Sequence, residues 1–125
     1  MKRWIQVLLI ITLAPLFYWF LTHQVISYAV VDGHSMEPTY HNADVVAMTK
    51  VKFWVRSPHE GDVVLIREFN EFGRGDGNID IKRVAGVTNN NYYYVLGDNT
   101  NVGASFDSRC YGLLPRNQIL AVTWK

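Results

Sequence analysis

Ser35 and Lys82 are the residues of this sequence best suited to covalent chemistry. Ser35 lies in Gly33-His-Ser-Met-Glu-Pro-Thr39 and Lys82 in Ile79-Asp-Ile-Lys-Arg-Val-Ala-Gly86. A serine hydroxyl is a weak nucleophile until a base within hydrogen-bond reach takes its proton. A lysine amine is such a base only where lost hydration leaves it neutral at the working pH. Strand alternation puts Lys82 on one face with Asp80, Val84 and Gly86 and sends Arg83 to the other. Arg83 stays charged and cannot be the base, so it is read as the partner of a carboxylate. A third segment, Leu96-Gly-Asp-Asn-Thr-Asn-Val-Gly-Ala-Ser-Phe-Asp-Ser-Arg109, is too polar and Gly-rich to be packing material. Taken one at a time, the three read as a Gly-Ser turn, a solvated strand lysine and an Asx-rich surface loop.

In this order, the three segments resemble those of type I signal peptidases, membrane-bound serine proteases that use a Ser-Lys pair. The resemblance runs from the N-terminus to about Pro115. It implies that Ser35 is the nucleophile, that Lys82 is the general base and that Met36 lies close to the substrate. The Ser35 backbone N–H would help to form the oxyanion hole. Gly33 occupies the position from which some members add a serine hydroxyl to that hole. By the same resemblance Ser105 orients the Lys82 amine, and Asp107 and Arg109 form structural ion pairs that involve Arg83. Gly97, Asp98 and Asn99 would shape the turn that carries them. Thr100–Ala104 is slightly longer than the family's common spacing.

The chemistry so implied is attack by Ser35, an acyl-enzyme and its hydrolysis, with no metal or organic cofactor. The implied partners are the signal peptides of exported preproteins, with small residues such as Ala at the first and third positions before the cut. Larger members insert a second domain between the lysine and Gly-Asp-Asn motifs. Here the link Arg83–Leu96 is short, which implies a minimal catalytic core. A dedicated processing peptidase for a pilin or conjugative-transfer precursor is the narrower alternative. A catalytically inactive, membrane-tethered β binding module is the alternative outside the enzymes. Self-cleaving repressors with a Ser-Lys pair have no membrane anchor, so the N-terminus argues against them.

That N-terminus is uncharged from Trp4 to Thr22 and is preceded by Lys2 and Arg3. As a helix it would be about 28 Å long, close to the ~30 Å hydrocarbon core of a bilayer. Trp4 at one end and Phe17–Phe20 at the other suit the two interfaces. Lys2 and Arg3 predict a single-pass protein of the cell (inner/cytoplasmic) membrane, N-terminus cytoplasmic and catalytic domain on the outer face, in contact with lipid. Ser27-Tyr28-Ala29 could instead end a cleavable signal peptide, but the apolar run exceeds a normal h-region. A buried core helix fits less well, because no polar face exists to turn to water.

Residues 1–24 are therefore expected to form a membrane anchor and 25–125 a minimal β catalytic domain. Strands are expected over Val25–Val31, Asp44–Lys52, Asp62–Glu68, Ile79–Val87, Tyr92–Leu96 and Ile119–Trp124, with turns at Arg74–Asn78 and Asn89–Asn91. The fold class is mainly β: a compact coiled sheet or barrel after one transmembrane helix. A chain of 125 residues with net charge +1 and scattered charges carries no footprint for nucleic acid. His23, His34, His41, His59 and the lone Cys110 show no metal-ligand spacing. Cys110 reads as a small buried hydrophobe beside Tyr111. In Val51-Lys-Phe-Trp-Val55, Phe53 and Trp54 are either core or dip into the outer leaflet.

Overall fold

The computed structural model describes residues 2–50, 56–69 and 77–124. Helix α1 (Lys2–Phe20) opens the chain, and a π-helical turn, Leu21–Val25, leads it into the first strand. The helix therefore begins two residues earlier than its apolar run, taking in Lys2 and Arg3. None of its residues is buried against the rest of the protein, although it is apolar throughout. It is long and apolar enough to cross a membrane.

The remainder is mainly β. Seven strands, β1 (Ile26–Val30), β2 (Val45–Thr49), β3 (Val63–Arg67), β4 (Ile79–Val87), β5 (Tyr92–Leu96), β6 (Leu114–Pro115) and β7 (Ile119–Thr123), form one sheet. Their order is β1-β2-β7-β3-β4-β5-β6, and every pairing is antiparallel. The sheet is curled into a half-barrel. Register shifts at Leu65/Ile66 and at Val84/Gly86 help to bend it, since a bulge raises the local twist.

Both faces of the central strands are covered, and the sequence of β3 shows how. Val64 and Ile66 enter one apolar cluster with Val84, Tyr93, Val95, Leu114, Ile119 and Val122. Val63, with Leu65 packed alongside, enters the other, which holds Val31, Met36, Val46, Met48, Ile81 and Ala121. A strand that alternates between two cores reads as a continuous apolar run, as Val63–Ile66 does.

Two details differ from the sequence reading. A short helix α2 (Ser108–Tyr111) and the two-residue β6 lie between β5 and β7. Cys110 is exposed rather than buried, because α2 turns Ser108 inward and leaves the middle of the helix to solvent. Phe53 and Trp54 lie outside the described residues, as does most of the Arg74–Asn78 turn.

Candidate active site

The Ser35 loop leaves β1 through a narrow neck. Val31 N–H donates to Asp44 O and Ala43 N–H to Val31 O, both at 2.8 Å. Gly33 has φ +96°, a conformation that residues with a Cβ rarely adopt. Its N–H donates to Asn42 Oδ1 at 2.8 Å, across the base of the loop. Met36 is fully buried in the apolar cluster and pins the loop from beneath. From above, Asn99 N–H donates to Ser35 O and Asn99 Nδ2 to His34 O, each at 2.9 Å. Gly97 allows that approach: a Cβ there would stand 2.5 Å from Ser35 O and 2.9 Å from Ser105 Cβ.

Lys82 lies on β4 opposite Val64 of β3, with no side-chain exposure. Its aliphatic stem is therefore held against the sheet's apolar face, near Val64 and Val84. Nζ reaches Ser35 Oγ at 3.3 Å, bringing together two residues 47 positions apart. It also donates to Ile81 O at 3.3 Å and makes a short ion pair with Asp80 Oδ2. The Ser105 hydroxyl, at the far side of Gly97, donates to Asp107 Oδ2 at 2.9 Å. Ser35, Asp80 and Ile81 supply the lysine's hydrogen-bond acceptors; Ser105 is bonded to Asp107 instead.

Two ion-pair hubs hold the segments around this pair. Arg83 donates from Nε to Asp98 Oδ1 at 2.8 Å and from Nη2 to Asp98 Oδ2 at 2.7 Å, a bidentate fork. Nη1 bonds Gly61 O, and Thr39 Oγ1 donates to Asp98 at 2.5 Å. Asp98 thus joins the lysine strand to the end of the serine loop. Burial pushes its carboxyl up, but Arg83 and Thr39 outweigh that and hold it below the usual range. Arg83 pairs with Asp98 and not with Asp107: the turn after β5 brings Asp98 to β4 first.

Asp107 is the second hub. Its fully buried carboxylate accepts from Arg109 Nε and Nη2 at 2.9 and 2.6 Å. It also accepts from Gly97 N–H, Arg109 N–H and the Ser105 hydroxyl. Burial alone would raise this carboxyl; the donors, Arg109 foremost, hold it well below the carboxylate range. The network folds 97–109 into a brace behind the serine loop.

A cleft of about 370 Å³ opens beside Ser35, between the end of β1 and the start of β4. Ala29, Val31, Met36, Leu65, Ile79 and Ile81 give it an apolar lining. A trough between two strand segments suits an extended peptide. An oxygen and an amine in contact at the end of such a trough can carry out acyl transfer.

Asp80 and Glu68 were not singled out in the sequence as site residues. Alternation already placed Asp80 on the lysine's face, whereas nothing local marks Glu68 at the end of β3. Among the described residues no cluster of His, Cys, Asp and Glu could hold a metal ion.

One protein-family profile, described as signal peptidase, peptidase S26, matches residues 1–90. That span contains α1, Ser35 and Lys82 and stops before Gly97. No curated protein matches the chain.

Proposed function

The chain belongs to the signal peptidase family, peptidase S26, and from that premise we propose that it is a membrane-bound serine endopeptidase removing signal peptides from exported preproteins. The observation that carries this reading is the 3.3 Å separation of Lys82 Nζ and Ser35 Oγ. In the neutral form Lys82 takes the Ser35 proton as Oγ attacks the scissile carbonyl. The oxyanion forms beside the Ser35 N–H, at the turn that Gly33 makes possible. Lys82 returns the proton to the leaving amine, then activates a water that hydrolyses the acyl-enzyme.

Residues 1–24 act as the anchor and 25–125 as the catalytic part. Lys2 and Arg3 favour a cytoplasmic N-terminus, so the cleft faces the outer surface of the inner/cytoplasmic membrane. The substrate lies extended along the cleft and presents small residues, Ala for example, at the first and third positions before the cut.

Cleavage of a synthetic precursor with an Ala-x-Ala site tests this, comparing wild type with Ser35→Ala and Lys82→Ala in lipid vesicles. Wild-type cleavage lost in both variants supports the proposal. Full activity of Ser35→Ala refutes it, and no cleavage by wild type favours a binding module.

A narrower reading, a peptidase dedicated to one pilin or conjugative-transfer precursor, is favoured by the direct β4–β5 hairpin, which leaves no room for an inserted domain. A panel of unrelated precursors separates the two readings: a general enzyme cuts many of them, a dedicated one cuts few.

A further inference from the structure

The Ser35–Lys82 pair does not stand alone on its face of the sheet. Lys82 Nζ meets three acceptors, Ser35 Oγ, Ile81 O and Asp80 Oδ2. An ammonium has three N–H bonds to give, whereas a neutral amine has two and a lone pair. Ser35 Oγ can donate as well as accept, so these contacts suit a neutral amine as well as an ammonium. The adjoining Asp80 carboxylate favours the ammonium, which cannot take the Ser35 proton. Among the described residues Asp80 is the carboxylate that pairs with it.

Glu68 lines the same recess as Asp80, close enough for the two carboxyls to interact. Glu68 is only 8% exposed, and among the described residues its Oε1 has no hydrogen-bond partner. A buried carboxyl beside another carboxylate favours one proton held between them over two charges. Burial, then repulsion from Asp80, pushes Glu68 up to about 7, with Lys82 opposing and Asp107 adding to the rise. Tyr111 also faces Glu68 from α2, and Asp32 faces the carboxyl pair from across the recess. That recess, of about 450 Å³, is lined by Asp32, Glu68, Asn78, Ile79 and Asp80 and shares Asp32, Ile79 and Asp80 with the substrate cleft.

We propose that Asp80, backed by Glu68, is a positioning residue that holds Lys82 as an ammonium in the resting enzyme and sets the pH above which the Ser35–Lys82 pair works. On activation an Nζ–H bond of Lys82 breaks and an O–H bond forms on Asp80. Asp80 then passes that proton through the recess to water, alone or by way of Glu68. The freed lone pair on Nζ faces Ser35 Oγ. Ile81 N–H, bonded to Asp80 Oδ1 at 2.7 Å, fixes the carboxylate's direction throughout. The inference rests on the proteolytic reading of the site and adds the group that governs its base.

The test is the pH profile of kcat/KM for precursor cleavage by the full chain in vesicles, for wild type, Asp80→Asn and Glu68→Gln. Asp80→Asn removes the counter-charge, so the acidic limb moves to lower pH, giving about a tenfold or larger relative gain on that limb. Glu68→Gln keeps a hydrogen-bond donor toward Asp80 but never ionises, so its limb moves the same way by less. A merely structural role would lower the maximum and leave the limb in place. An unmoved or raised limb in folded Asp80→Asn, or its complete inactivity, overturns the proposal. Should Asp80→Asn fail to fold, an unmoved limb in Glu68→Gln overturns it alone. Failure of the wild type to cleave would instead count against the proteolytic reading.

Discussion

Alanine at Gly97 is the sharpest probe of how the serine is held. The new Cβ would lie 2.5 Å from Ser35 O and 2.9 Å from Ser105 Cβ, whereas ordinary contact begins at 3.4 Å. The Ser35 carbonyl would have to retreat by about 0.9 Å, the difference between those two separations. Both neighbours are poorly placed to yield. Ser35 O is bonded to Asn99 N–H on the same turn, and Ser105 is bonded to buried Asp107. A misplacement of about 1 Å at a reacting group costs roughly a hundredfold in rate, equivalent to about 2.7 kcal/mol of transition-state stabilisation. Gly86 is the control, since a Cβ there meets nothing within 4 Å among the described residues. We expect Gly97→Ala to lose about a hundredfold in kcat/KM while Gly86→Ala stays within about threefold of wild type. Thermal melts check that each variant is folded. A folded Gly97→Ala with near-wild-type kcat/KM would refute the idea that the close packing of the glycine turn holds the Ser35 loop in place.

Three further outcomes follow from the charged groups. Asp107→Ala strands Arg109, Gly97 N–H and Ser105, and should lower stability by about 3 kcal/mol in urea unfolding. Because the folded Asp107 carboxyl lies below its unfolded value, that stability is complete at neutral pH and is lost only as pH falls through the folded value; a loss below about 1 kcal/mol contradicts the hub. Glu68 has the opposite sign. Its folded value of about 7 lies above the ordinary 4.5, so wild type loses stability as pH rises between them, by roughly 3 kcal/mol. Glu68→Gln should remove that slope in melts taken across the interval, and a slope equal to wild type's contradicts the assignment. Asp98→Ala cuts the tie between Arg83 and Thr39, and should lower kcat/KM by roughly tenfold through looser alignment of β4 with the serine loop. An unchanged kcat/KM shows the tie to be dispensable.

The fold was legible where apolar alternation ran unbroken. The Ile79–Val87 and Tyr92–Leu96 strands have the bounds that the sequence pattern predicts. The apolar run of β3 marked a strand, and its burial between two clusters became visible only in the structure. β6 was not legible, because two residues, one of them proline, carry no period. Cys110 was misread because its exposure depends on which way a one-turn helix faces. Within the site, local spacing put Asp80 on the lysine's face but could not bring Glu68 to it. That contact depends on the β3–β4 register, which pairs Ile66 with Asp80 and ends beside Glu68. The choice of Asp98 as partner for Arg83 likewise depends on where the turn after β5 lies in space.

The central claim is that a buried amine activates one particular hydroxyl. A peptide aldehyde or boronate with an Ala-x-Ala sequence, added to the enzyme in vesicles and followed by mass mapping, tests it most directly. The adduct should form on Ser35, and Lys82→Ala should slow its formation by at least about a hundredfold. An adduct on another residue, or undiminished labelling of Ser35 without the lysine, would contradict it.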